Sequence, residues 1–340
     1  MSILIRSSDK KEQPTGKSSL SEITRPIKSE LEKFSELFKQ SMKSKVGLVD
    51  LVARYIIRQK GKKIRPLLVL LSAKICGGVT ERTYRGAVLV ELLHTATLIH
   101  DDVVDNADKR RGFWSINAVF KNKVSVLMGD YLLSRGLMIA VEGKDYDFLG
   151  VITSTVKRMS EGELLQIQKT RKLDIDEETY FRIISDKTAS LLETCCHIGA
   201  LSATENEEYQ QAMKSFGQNI GIAFQIRDDI LDYEGKSATI GKPVGGDIKE
   251  KKITLPLIYS LNQVSTSEAV QIRKIIKNGK EKKNIERVIE FVHENKGIEY
   301  AVNAAQSFSN KAMESLKILP ESPAKIALQA LVEFVTERKN

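Results

Sequence analysis

The stretch LLHTATLIHDDVVDNADKRRG, Leu92 to Gly112, runs an apolar helical pattern into a cluster of acids. Leu92, Leu93, Ala96, Leu98 and Ile99 recur at helical spacing, so the segment reads as the end of a helix. Asp101, Asp102 and Asp105 close it, and on a helix Asp101 and Asp105 project from one face. A carboxylate beside an apolar helix face is costly unless something pairs with it. A second stretch, FQIRDDILDYEG (Phe224 to Gly235), repeats the arrangement with Asp228, Asp229 and Asp232. One such triplet reads as a solvated acidic helix end. Two with the same apolar lead-in point to facing acidic surfaces. Their mutual repulsion would raise the carboxyl pKa values, and divalent cations would relieve it. Oxygen-only ligation by few carboxylates suits magnesium, which completes its shell with water and phosphate oxygens. Val103, Val104, Ile230 and Leu231 fill the positions between the acids, unlike an EF-hand loop.

Cations flank the first triplet. Lys109, Arg110 and Arg111 follow Asp105. They read either as a charge-balanced surface loop or as arginine forks that grip diphosphate oxygens beside the metals. Upstream, QKGKKIRPLL places Lys62 and Arg65 just before Pro66. Gly61 suits the end of one helix and Pro66 the first turn of the next. Basic groups at a helix start, with its free N–H groups, make an anion site. One diphosphate at the metals gives weight to a second at this junction.

The chain has 340 residues, long enough for a substantial core. That length permits two domains, but no linker interrupts it. Its seven prolines fall at helix junctions or tails, and alternating strand patterns are lacking. Residues 19–340 are therefore expected to form a single all-α domain. Helices are expected over Glu22–Ser44, Gly47–Lys60, Pro66–Ile75, Arg82–Asp105, Ser115–Met138, Asp147–Thr170, Glu177–Ala200, Asn206–Tyr233 and Ser265–Lys277, with shorter ones beyond. Ser19-Leu20-Ser21-Glu22 fits a capping box for the first. Residues 1–18 are polar and expected to be a disordered tail, and MSILIRSS has too short an apolar run for a secretory signal. No apolar stretch is expected to reach membrane-spanning length. Cys76, Cys195 and Cys196 form no zinc or CxxC pattern, so a cytoplasmic, reduced protein is expected.

Residues 1–65 hold 16 Lys and Arg against 7 Asp and Glu, and so carry the entire net charge of +9. Nucleic acid is not expected as a partner, because no nucleic-acid motif accompanies the charge. The two readings left are peripheral contact with an anionic membrane and a solvated basic surface.

The blocks GKKIRP, ELLHTATLIHDDVVDNADKRRG, DKTAS, FQIRDDILDYEG and GKPVGGDIKEKKITLP, in this order from Gly61 to Pro256, resemble the trans-isoprenyl diphosphate synthases, or polyprenyl synthetases. The resemblance is closest to long-chain members such as heptaprenyl, octaprenyl and solanesyl diphosphate synthases. It implies the isoprenoid synthase fold, a single-domain bundle of roughly ten or more helices around a central apolar cavity. It implies a magnesium-dependent prenyltransferase, with three ions once substrate is bound. The enzyme would condense farnesyl or geranylgeranyl diphosphate with successive isopentenyl diphosphates to an all-trans product of about C35 to C45, with quinone side chains as the expected use. Asp101, Asp102 and Asp105 would bind magnesium and the allylic diphosphate. Asp228, supported by Asp229 and Asp232, would supply the third metal. Arg110 would contact the allylic diphosphate, and Lys62, Arg65, His94 and Arg111 would form the isopentenyl diphosphate site. Lys187, Thr188, Gln225, Lys242 and Lys252 would surround the allylic diphosphate. The small residues Ala96 and Thr97 would leave the channel open to a growing chain, and Leu127 and Met128 are candidates for its wall. A homodimer is implied. Lys60 replaces the first glycine of the family's usual GGK, and Lys251 the glycine before the lysine of KxTLP. Neither change removes a proposed ligand.

Other readings compete. Glu91-Leu92-Leu93-His94 and Glu290-Phe291-Val292-His293 both have the ExxH spacing of di-iron bundles, but the two aspartate triplets point to magnesium instead. His94 can also be an ordinary half-buried histidine. GKSATIGKP, Gly235 to Pro243, has the wrong spacing for a phosphate loop, and Pro243 stands where Ser or Thr is needed. A class I terpene cyclase needs one diphosphate site, whereas cations for two are present. Geranylgeranyl or farnesyl diphosphate synthase is the shorter-product alternative. A regulatory subunit would typically lack the aspartate motifs, and both are complete.

Overall fold

A computed structural model describes residues 19–59, 61, 63–110, 112–234, 245–278 and 281–336. The chain begins with the expected capping box, in which the Ser19 hydroxyl accepts from Glu22 N–H and the Glu22 carboxylate accepts from Ser19 N–H. The first expected helix is divided. Helix α1 (Leu20–Thr24) and α2 (Lys28–Ser41) are separated by a 3₁₀ turn at Arg25–Ile27, because Pro26 removes a backbone donor. Then follow α3 (Gly47–Arg58), α4 (Ile64–Cys76) and α5 (Glu81–Val104). A hairpin of β1 (Lys109–Arg110) and β2 (Phe113–Trp114) interrupts the helices, a feature too short to show as sequence periodicity. Helix α6 (Ile116–Glu142), capped by Ser115, is kinked at Lys121, whose φ is +71°. Helix α7 (Tyr146–Lys172) follows. The expected helix over Glu177–Ala200 is α8 (Glu177–Ile184), a π-turn at Ser185–Ala189 and α9 (Ser190–Leu201). Helix α10 (Glu207–Glu234) precedes α11 (Gly246–Lys249), α12 (Leu255–Asn262), α13 (Thr266–Asn278), α14 (Lys282–Glu294), α15 (Gly297–Ser315) and α16 (Pro323–Thr336).

Helices α4 and α9 are apolar nearly all round, and almost all of their residues are buried. They pack on each other and on α5, with α9 also against α10. Helix α10 is read on two levels. Met213, Phe216 and Ile220 join the core shared with α4, α5 and α9, while Ile222, Ile226, Ile230 and Tyr233 join a second core with α8 and α12–α15. Asp145, at the corner between α6 and α7, is 3% exposed and accepts from Arg82 Nε (3.1 Å) and Arg85 Nε (2.6 Å). That pairing anchors the start of α5.

Contrary to the expectation from sequence, α6 is long and apolar enough to cross a membrane. Only 33% of its most apolar window is buried here. One side lies against α5, and Val126, Leu127, Met138 and Val141 are left exposed on the other.

Candidate active site

Three acids at the end of α5 oppose the negative end of a helix dipole. Such a local conflict survives where the surroundings compensate it. The hairpin does so here: Arg110 Nε donates to Asp102 Oδ1 at 2.7 Å, and Asp102 is 2% exposed. Asp101 and Asp105 stay exposed. Surrounding protein holds the Asp101 carboxyl above its ordinary range, with Lys187 opposing and Glu163 adding to the rise. Glu163 belongs to α7 and Lys187 to the π-turn.

The second triplet, at the end of α10, repeats the division. Asp228 is exposed and Asp229 is 5% exposed. Asp229 accepts from Tyr180 Oη (2.7 Å) and from Gln225 Nε2 (2.8 Å). Burial first, and then the nearby Asp247, push its carboxyl up to about 8. Thr188 Oγ1 donates to Gln225 Oε1 at 2.9 Å, which extends the chain of bonds to the π-turn. Asp232 accepts at both carboxylate oxygens from Gly246 and Asp247 N–H, each at 3.0 Å, and so caps α11. The six aspartates differ in exposure: Asp101, Asp105 and Asp228 are exposed, Asp232 is half-buried, and Asp102 and Asp229 are buried.

Two clefts carry cations, one lined by Asp229 of the second triplet and the other by Arg110, which holds Asp102 of the first. One is lined by Lys187, Thr188, Gln225, Asp229, Asp247 and Lys252. Lys187 Nζ reaches Glu163 at 2.5 Å and Gln166 at 3.0 Å. Glu250 (2.5 Å) and Asp247 (3.8 Å) hold Lys252 charged against its burial, and Asp105 adds to that field. The second cleft is lined by Gly61, Lys63, Arg65, Glu91, His94 and Arg110. Sequence reading assigned Lys187, Thr188, Gln225 and Lys252 to one diphosphate, and they come together. Arg65 and His94, assigned to the other, also come together. Arg110, assigned to the first group, lines the second cleft while its Nε holds Asp102. Lys62, Arg111 and Lys242 lie outside the described residues, as does the tail over 1–18.

Sequence reading did not nominate Asp247, Tyr180, Glu163 or Gln166. Asp247 had a signal, as an acid between Lys242 and Lys252; Tyr180 had none, because its partner is 49 residues away. Ala96 is 2% exposed within the first core, and Thr97 Oγ1 donates to the His94 carbonyl at 2.9 Å. Met128 is buried, but Leu127 is 58% exposed on the outer side of α6 and cannot wall a channel inside this chain.

Among the described residues, no three His, Cys, Asp or Glu side chains converge closely enough to hold a metal ion alone. The exposed carboxylates fit an ion that borrows most of its oxygens from water and a bound anion, as magnesium does.

Residues 47–295 match the family described as polyprenyl synthetase. The chain is 34% identical to octaprenyl diphosphate synthase of Haemophilus influenzae, over 94% of this chain and 97% of that protein. A crystal structure of polyprenyl synthase from Caulobacter crescentus, complexed with calcium and isoprenyl diphosphate, is similar with a TM-score of 0.88 and 30% identity. That match covers 96% of this chain and all of that one. A geranylgeranyl pyrophosphate synthase structure from Bacteroides thetaiotaomicron is 40% identical, with a TM-score of 0.79 over 94% of this chain and 99% of that one.

Proposed function

The chain belongs to the polyprenyl synthetase family, with its isoprenoid synthase fold and prenyltransferase activity, and on that premise we propose a chain-elongating synthase of long all-trans polyprenyl diphosphates. It condenses farnesyl or geranylgeranyl diphosphate with successive isopentenyl diphosphates. The product is about C35 to C45, for quinone side chains. The observation that carries the reading is the pair of cation-bearing clefts beside the acidic motifs, one lined by Asp229 with Lys187 and Lys252, the other by Arg65 with Arg110, which holds Asp102.

Lys187, Thr188 and Lys252 receive the allylic diphosphate, together with Lys242. Arg65 and His94, with Lys62 and Arg111, hold isopentenyl diphosphate so that its double bond lies beside the reacting carbon. Asp101, Asp105 and Asp228 would hold magnesium, three ions in all; Asp102, Asp229 and Asp232 orient the site. When bound, magnesium neutralises charge that develops on the departing diphosphate. The lysines stabilise the same charge at fixed positions. The apolar approach of α5 keeps water from the carbocation. No His, Glu or Asp in the motifs is a dedicated base, so the departing diphosphate takes the proton.

The growing chain passes Ala96 and Thr97. Residues 19–340 act as one domain, which the passage of α10 through both cores supports. The exposed apolar side of α6 supports a homodimer. At the start of α3, exposed Val46, Leu48 and Leu51 lie among Lys43, Lys45, Arg54 and Arg58, which supports peripheral contact with anionic lipid in the cytoplasm.

The 40% identity to a geranylgeranyl diphosphate synthase favours a second reading with a C20 product. Mass spectrometry after incubation with magnesium, farnesyl diphosphate and excess isopentenyl diphosphate separates the two. A discrete product of about seven to nine isoprene units is expected. A C20 product would establish the shorter synthase, and released hydrocarbon would indicate a cyclase instead.

A further inference from the structure

From Glu177 to Leu201 the chain winds without a break, but Ser185–Ala189 form a π-turn. Such turns are rare and often sit at functional sites. Two glycines make room for this one. A Cβ on Gly162 of α7 would come 3.0 Å from Lys187 N and 3.1 Å from Asp186 Cβ. One on Gly221 of α10 would come 2.6 Å from Ala189 Cα.

Room permits the turn, and Arg158, one helical turn before Gly162, grips it. Arg158 Nε donates to Asp186 Oδ1 at 3.0 Å, and its Nη2 to Ser185 Oγ at 3.4 Å. Its Nη1 donates to Glu193 Oε2 of α9 at 2.9 Å. Glu193 is 7% exposed and also faces Lys214 of α10 at 3.7 Å. One guanidinium therefore joins α7, the π-turn and α9. Next to the gripped Asp186, Lys187 reaches Glu163 and Gln166 farther along α7, and Thr188 reaches Gln225 of α10.

We propose that Arg158 is a positioning residue for the diphosphate cleft: by holding Asp186 and Ser185 it sets the π-turn that directs Lys187 and Thr188 into the site. This rests on the reading of Lys187 and Thr188 as diphosphate ligands. Arg158 lines neither cleft and acts through the turn. A lysine keeps its charge but not its planar fork.

The test uses the full chain with Arg158→Gln, Arg158→Lys, Asp186→Asn and the Arg158→Gln/Asp186→Asn double variant. Three things are measured: KM for farnesyl and isopentenyl diphosphates with magnesium, Tm, and hydrogen exchange across 185–189. Arg158→Gln is expected to raise the farnesyl diphosphate KM about 10–100-fold, as loss of a supporting residue does. The isopentenyl diphosphate KM should stay within about twofold. Exchange across 185–189 should accelerate, Asp186→Asn should act alike, and the double variant should be no worse than either single one. Arg158→Lys should show the same pattern to a smaller degree, and it decides the question if Arg158→Gln fails to fold. Unchanged exchange across 185–189, equal changes in both KM values, or a lowered Tm with normal KM values would overturn the proposal. A wild-type chain that does not elongate would sink the functional reading, whereas the exchange measurement would still decide whether Arg158 holds the turn.

Discussion

Asp102 and Asp229 occupy the middle of the two acidic triplets, and both are turned inward. Each is held by a residue remote from its own helix, Arg110 for one and Tyr180 for the other. A buried carboxylate needs such donors; Arg110 takes Oδ1 of Asp102, whereas both oxygens of Asp229 accept, from Tyr180 and Gln225. Asp228→Asn is therefore expected to lower kcat by about 10²–10³-fold, on the scale of losing one group that stabilises transition-state charge. Tyr180→Phe should cost only about 10–100-fold, mostly as a higher magnesium requirement. Steady-state assays across a magnesium titration compare them, and equal losses would contradict the division of roles. Ala96→Phe places a ring in a core position one turn before Asp101. Shorter products by mass spectrometry are expected, and an unchanged length would show that the chain grows elsewhere.

Helix α9 is buried almost throughout and carries His197 on its half-buried side. Burial first, then Lys214, lowers the His197 pKa below 6.5, with Glu193 and Asp147 opposing. As pH falls, the unfolded chain takes up this proton before the folded one. The contribution is fully present above about pH 6.5 and is lost as pH falls below it. Between about pH 7 and 5.5 the Tm of the wild type should drop more steeply than that of His197→Gln. Calorimetry at several pH values measures this, and parallel slopes would assign the acid sensitivity to other groups. The same stretch shows why a helix pattern can be right and incomplete. Residues 177–200 keep helical periodicity, yet the π-turn depends on Gly162, Gly221 and Arg158, which belong to other helices.

At the level of the whole molecule, α6 has two apolar sides, and among the described residues it packs mainly on α5. The buried side meets α5, and the exposed side carries Val126, Leu127, Met138 and Val141. An exposed apolar patch of this kind marks an association surface, and two-fold pairing is the commonest solution. Leu127→Glu combined with Met138→Glu is expected to shift the chain from dimer to monomer in analytical ultracentrifugation. A double variant that stays dimeric would place the interface elsewhere.

Periodicity, caps and the two DDxxD runs determined the helical class, most helix positions and the identity of the acidic and basic groups, because these follow from spacing along one helix and from side-chain chemistry. Ser19, Ser115 and the aspartate pairs four residues apart carry that information locally. Which acids remain exposed was decided by the tertiary structure. Asp102, Asp229 and Asp232 meet groups from outside their own helices: the hairpin Arg110, Tyr180 of α8 and the start of α11, with Gln225 of α10 adding a bond to Asp229 from the same helix. The outward side of α6 and the π-turn are decided the same way. A helix pattern states that a face is apolar or charged, and only packing states what meets it.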